Sequence, residues 1–229
     1  MAALIALAEF PQSALFTVDR IEVSGAEGLA PEVVSEIAGL RHGERLFAVD
    51  SARALQRLRA DPRVRAADVQ VKPPSTVSVR IVERRPVVAL AVGTRFAVLG
   101  DDLVVVSIGP SGHGVPEVVD RIKPVPWTRA GAPVASRAAQ IAIAVLPAIP
   151  ESIRADLIRV IVHPGPDLTL VLGSGLEIRA GGTSGIAERL AEVPQVLAAL
   201  HARGLAAAAL DLRYAGSIAV TLATGGEAR

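Results

Sequence analysis

Residues Phe16 to Leu90 constrain the fold more than any other part of the chain, because their apolar spacing changes period in the order strand, helix, helix, strand, strand. In FTVDRIEVSG, Phe16 and Val18, then Ile21 and Val23, alternate with polar neighbours until Gly25 closes the run. Pro31 stands where the first residue of a helix tolerates a missing N–H, with Glu32 near the positive end of the dipole. Val33, Ile37 and Leu40 then recur at helical spacing, and Gly39 or Gly43 can stop the helix. After a short link, Glu44 to Val49, the pair Asp50-Ser51 offers an N-cap, Leu55 and Leu58 share one helix face, and Asp61-Pro62 ends it. Two alternating runs follow, Val69 and Val71, then Val77, Val79 and Ile81, joined by Pro73-Pro74-Ser75-Thr76. Two helices can cover these strands, so the segment predicts a small α+β domain. Such a domain has little room for an enclosed active site. It offers sheet edges and exposed helix faces, which point to binding.

The remainder alternates strands and helices without an internal repeat. Pro86 to Leu90 leads out of the first domain, and Asp101-Asp102 marks a hairpin turn before the apolar run Leu103 to Val106. Ile108 to Gly131, rich in Gly and Pro, reads mostly as loop. A helix is predicted over about Pro133 to Leu146, with Ile141 and Val145 on one face and Pro147 ending it. Val160 and Val162 form a short strand. Leu168, Leu170 and Leu172 alternate up to Gly173-Ser174-Gly175, and Leu176 and Ile178 alternate away from it, which predicts a hairpin. A helical segment from about Ser184 to Arg203 carries Leu190, Val193, Leu197 and Leu200, with Pro194 inside it as a kink or break. Leu210 and Leu212, then Ile218, Val220 and Leu222, make two closing strands around Tyr214 to Ser217.

Composition narrows the function classes. The 229 residues suffice for one large or two small domains; 51% are apolar but only 3% aromatic, so Val, Ala, Leu and Ile must fill the core. A net charge of +1 gives no reason to expect nucleic acid, since phosphate binding needs a clustered basic face. The absence of cysteine excludes disulfides, thiolate catalysis and Cys-based zinc sites. Ala2 to Ala8 is wholly apolar, but a membrane-spanning helix needs roughly 20 apolar residues, and no basic n-region precedes it. Two readings stand for residues 1–15: a frayed soluble terminus, or the end of a membrane anchor.

Catalytic signals are weak. His42, His113, His163 and His201 stand far apart, with no pair at metal-ligand spacing. Ser174 in GSG and Ser184 in GGTSG do not form a G-x-S-x-G elbow. The glycines at 173, 175, 181, 182 and 185 come without a Walker lysine or a G-x-G-x-x-G pattern. Asp101-Asp102 and Asp211 lack an obvious second partner for glycosidase-like chemistry. A small hydrolase would have to assemble a triad from distant positions, with His163 beside a serine and a carboxylate in one pocket.

The phrases FTVDRIEVSG, PEVVSEIAGL, GERLFAVD and RLRADPRVRAADVQVKPPSTVSVRIVERRPVVAL closely resemble a POTRA domain of the FtsQ/DivIB family of bacterial division proteins. GLEIRAGG and ERLAEVPQVLAALHARGLAAAALDLRYAGSIAV resemble that family's β domain, including the Asp211-Leu212-Arg213-Tyr214 phrase. The resemblance covers about residues 15–222 and is weakest between Gly100 and Gly131. It departs from the family at Pro194, in a helix the family usually leaves uninterrupted. It implies a remnant of a membrane anchor over 1–15, a POTRA domain (β-α-α-β-β) over 16–85, a mixed α+β domain with a mainly antiparallel sheet over 86–224, and a tail over 225–229. The implied function is non-enzymatic: a single-pass scaffold of the division septum, mostly on the periplasmic side of the cytoplasmic membrane, without cofactors. The implied partners are FtsB and FtsL at the β domain, with FtsK, FtsW and FtsI as further contacts and septal peptidoglycan synthesis as the process controlled.

The last strand would be the docking edge in that family. Ser217 to Leu222 alternates Ile218, Val220 and Leu222 with small polar or alanine positions and carries no Lys, Glu or Pro to block strand addition. Tyr214, Ser217, Ile218, Val220 and Leu222 are the implied partner-binding residues. A strand internal to the sheet, or one covered by the tail, is the alternative for this segment. Another POTRA-bearing assembly or secretion module is the alternative for the chain.

Overall fold

The computed structural model describes residues 16–223 except 113, 126, 166 and 215. The expectations for residues 1–15 and for the 225–229 tail lie outside the described residues, as does His113. The chain divides into two compact units, Met1–Arg85 and Pro86–Arg229.

In the first unit the alternating runs become β1 (Arg20–Ser24), β2 (Val64–Lys72) and β3 (Thr76–Glu83), and the helical spacings become α1 (Pro31–Ala38) and α2 (Ser51–Ala60). β3 lies in the middle, parallel to β1 and antiparallel to β2. The register aligns Ile21 with Val77 and Val23 with Val79, so the period-two apolar residues of neighbouring strands share one face. That face and the two helices enclose Val18, Val34, Leu46, Leu58, Val77 and Val79, all fully buried. Pro31 does occupy the first turn of α1, and Gly39 ends it in the left-handed region at φ 73°, with Leu40 N–H returning to the Ser35 carbonyl. The Asp50 carboxylate caps α2 by accepting from Arg53 N–H at 2.9 Å. Gly25 is obligatory for two reasons: its φ is +79°, and an added Cβ would collide with the Ile81 carbonyl.

The second unit contains β4 (Pro86–Val92), β5 (Arg95–Gly100), β6 (Val105–Gly109), β7 (Glu117–Asp120), α3 (Arg137–Val145), α4 (Glu151–Arg154), β8 (Leu157–Val162), β9 (Leu168–Leu172), β10 (Glu177–Gly181), α5 (Ile186–Ala191), α6 (Val193–His201), β11 (Ala207–Asp211) and β12 (Ala219–Leu222). Its strands form one sheet in the order β12-β11-β10-β9-β8-β7-β4-β5-β6. Five neighbouring pairs are antiparallel; β4–β7, β7–β8 and β10–β11 are parallel. The α+β class and mainly antiparallel sheet read from the sequence are therefore present. Helices α3 and α5 pack on the face that carries Leu90, Val118, Val160, Leu170 and Ile178. Arg159, Val171, Glu177 and Arg179 occupy the alternate positions, where Arg159 and Glu117 form a cross-strand ion pair at 2.7 Å.

Several boundaries differ from the sequence reading. Ile108 to Gly131 is mostly loop, as read, but it also holds β7, the hydrogen-bonded link between β4 and β8. Four residues flanked by Gly and Pro are too short to show a period, and pairing on both sides stabilises them as a strand. The helix expected from Pro133 starts only at Arg137, because Ser136 caps it by accepting from Ala139 N–H. The long helix expected over Ser184 to Arg203 is two helices, with Pro194 in the first turn of the second, where its missing N–H costs nothing. Ser217 and Ile218 precede β12 rather than lying in it.

Candidate docking edge

β12 ends the strand order of the larger sheet. Among the described residues it pairs with β11 alone, in the register Leu210 with Val220 and Asp211 with Ala219, and a bulge shifts the pairing between Ala207 and Ala209. All four β12 residues are exposed, including Val220 at 37% and Leu222 at 46%. Val220 lies opposite the fully buried Leu210, so it continues the core row one strand beyond the point where burial ends. Ile218 is half-buried and packs against the core, which anchors the entry to the strand. Ala223 N–H donates to the Ala206 carbonyl at 2.8 Å and holds its exit.

The connection from β11 to β12 carries the polar part of the edge. Leu212 is buried, and its N–H donates to the Arg179 carbonyl at 2.9 Å, which extends the pairing beside β10. Arg213 forks onto Asp211: Nε to Oδ1 at 2.9 Å and Nη2 to Oδ2 at 2.7 Å. The same guanidinium lies 3.7 Å from Asp167 and 6.0 Å from the centroid of the Tyr214 ring. The Arg213 hydrogen bond holds the Asp211 carboxyl below the usual carboxylate range against the opposing effect of burial. Asp211 raises Arg213 in turn. The pair stays ionised through neutral pH and keeps the exposed Tyr214 ring beside a fixed cation.

A shallow groove of about 550 Å³ lies beside this edge, lined among others by His163, Asp167, Thr169, Glu177, Arg179 and Arg213. No serine lines it, and the His163 Nε2 is 3.1 Å from Thr169 Oγ1. His163, a serine and a carboxylate are therefore not brought together there. Among the described residues, no three His, Asp or Glu side chains cluster as metal ligands would.

Residues 16–84 match the POTRA domain of FtsQ type. The chain is 32% identical to the cell division protein FtsQ of Streptomyces bingchenggensis over 190 residues, which are 82% of this chain and 69% of the relative. The chain belongs to the FtsQ family of cell division proteins. The FtsQ proteins of Streptomyces coelicolor and Mycobacteroides abscessus are 28% and 30% identical over 74% and 81% of this chain, and 66% and 56% of their own lengths. A solved structure of the major extracytoplasmic domain of DivIB from Geobacillus stearothermophilus aligns with a TM-score of 0.34 and 14% identity, covering 52% of this chain and 96% of that one.

For this FtsQ-family chain, the structure places the five sequence-selected residues along one stretch of the sheet border. Tyr214 and Ser217 lie in the connection, Ile218 at the strand entry, and Val220 and Leu222 in β12. Asp211 and Arg213 join them, and sequence reasoning passed over that pair. The signal was the i,i+2 spacing of opposite charges where the strand ends, which lets both side chains turn to the same side. Among the described residues no helix is long and apolar enough to cross a membrane.

Proposed function

We propose that this division protein is a non-enzymatic scaffold whose β12 edge captures an extended segment of FtsB, in company with FtsL. The observation that carries this reading is the position of β12: last in the nine-stranded order of the described residues, exposed at all four positions, and free of charged residues and proline. Backbone groups on such an edge pair with an added strand, and side-chain pockets along it select the sequence. Val220 and Leu222 supply the apolar contacts, Tyr214 an aromatic anchor beside Arg213, and Ser217 and Ile218 set the entry to the strand. The first unit supplies contacts to other division proteins, FtsK among them. An anchor N-terminal to it holds the scaffold in the cytoplasmic membrane with its bulk on the periplasmic side. Through FtsB and FtsL the scaffold influences septal peptidoglycan synthesis by FtsW and FtsI.

The test is capture of a synthetic FtsB segment by the chain and by two exposed-edge variants, Val220→Asp and Tyr214→Ala. Each is expected to weaken binding at least tenfold, about 1.4 kcal/mol, while the far-UV spectrum and melting temperature stay near those of the parent. Val82→Ser, at an exposed apolar position of the first unit, is expected to bind like the parent. Undiminished capture by both edge variants refutes the proposed edge.

A further inference from the structure

The only tryptophan of the chain is displayed on its surface. Trp127 is 72% exposed, in the loop between β7 and α3. Both ends of the loop are tied by hydrogen bonds. At its start the Asp120 carboxylate accepts from the N–H groups of Ile122 and Lys123 at 2.8 and 2.9 Å and from the Ser136 hydroxyl at 3.1 Å. At its end Gly131 N–H donates to the Val105 carbonyl, and Val105 N–H to that of Ala132. Between these ties Thr128 is buried and Val125 packs against the core, so the loop has an inner side already filled. Trp127 and Ile122 face outward.

The charge along this stretch of sequence is one-sided, and the Asp101–Asp102 turn comes beside only its far end, where the Leu103 carbonyl accepts from Val134 N–H. From Arg121 through Pro150 the sequence contains Arg121, Lys123, Arg129 and Arg137 but no Asp or Glu. All four cations are exposed, and among the described residues none forms an ion pair. The nearest carboxylate in sequence, Asp120, is buried and turned to backbone N–H groups and Ser136. The whole chain has a net charge of +1, so this segment concentrates positive charge that the remainder balances.

We propose that the Arg121–Arg137 segment is a peripheral docking surface for an anionic lipid bilayer, with Trp127 entering the headgroup layer. Indole has an apolar body and one N–H donor, which suits the interface between headgroups and acyl chains. Unpaired cations on either side of it suit an anionic surface. The shape decides between a bilayer and an acidic protein. A protein partner must supply a fitted pocket for the ring, whereas a fluid interface accepts a projecting ring and dispersed charges without one. The proposal deepens the membrane-attached reading above: the anchor holds the N-terminal end, and this loop brings the second unit to the same surface.

Because Trp127 is the sole tryptophan, its fluorescence in the full chain reports the loop directly. Vesicles of equal parts phosphatidylglycerol and phosphatidylcholine are expected to shift its emission to the blue and protect it from acrylamide, and brominated acyl chains to quench it. Pure phosphatidylcholine vesicles are expected to do neither, and high salt to reverse the shift. The R121Q/K123Q/R129Q variant loses three exposed cations, each about fivefold in partitioning, so its vesicle affinity is expected to fall roughly a hundredfold. FtsB-segment capture by that variant is expected to remain at the parent level, which separates failure at this loop from failure at β12. Sedimentation with vesicles while the Trp127 emission stays unchanged places the lipid contact elsewhere in the chain and overturns the proposal, without touching the anchored reading. A blue shift on polyglutamate with none on vesicles overturns it in favour of an acidic protein partner.

Discussion

Glu83, the last residue of β3, ties the end of its sheet to the loop before α1. Its carboxylate accepts from the backbone N–H groups of Glu27, Gly28 and Leu29 at 2.8 to 3.1 Å. Burial pushes its proton affinity up, but these three donors together outweigh burial and hold the carboxyl below its usual range. A carboxylate depressed in the folded state stabilises the fold fully above its unfolded pKa. That contribution is lost as pH falls through the lower, folded value. Glu83→Gln keeps an acceptor but loses the charge, so it is expected to cost on the order of 1 kcal/mol near neutral pH. The difference between parent and variant should shrink towards zero in strongly acidic buffer, read as urea midpoints at the two pH values. A gap that persists in acid would mean that packing, not charge, sets the effect. Nothing in the sequence marks Glu83: its partners lie more than fifty positions away and are backbone groups.

Elements with strong local chemistry were legible, and those made by distant neighbours were not. α2 is announced by the Asp50 cap, α1 by Pro31 and Gly39, and the β9–β10 hairpin by its glycine turn. β7 has no such mark, because EVVD becomes a strand through parallel pairing with β4 and β8. Likewise the border position of β12 is a property of the sheet order, although its lack of charge and proline was readable. The cap of α3 lies between these cases. Ser136 is an ordinary capping residue, but its hydroxyl also donates to the buried Asp120, which in turn holds the Trp127 loop. Ser136→Ala should therefore cost about 1–2 kcal/mol, more than an exposed cap, since it leaves one Asp120 oxygen without that donor. Ser136→Thr should recover most of the loss in a thermal melt. Equal losses in both variants would show that the tight site rejects any change, and that the hydroxyl is not the cause.

At the scale of the whole molecule, the division at Arg85/Pro86 separates two hydrophobic cores that share no residue. The first core draws every buried member from Val18 to Ile81, and its sheet is complete with three strands. A segment with its own core and its own sheet meets the physical requirements for folding alone. Its size sets the limit, because domains near seventy residues bury a smaller fraction of their surface and seldom exceed about 3–5 kcal/mol. Residues 16–85 expressed alone are therefore expected to show dispersed amide resonances and one cooperative urea transition of modest stability. The full chain should then show a transition at nearly the same midpoint, followed by that of the larger unit, because no buried residue is lost to the smaller core on separation. A molten 16–85 fragment, with helical signal but no cooperative transition, would mean that the first unit depends on the second. The β12 edge and the Trp127 loop lie on the larger unit and the proposed FtsK contacts on the first, so a cooperative 16–85 fragment would let the first unit's contacts be measured without the other two surfaces.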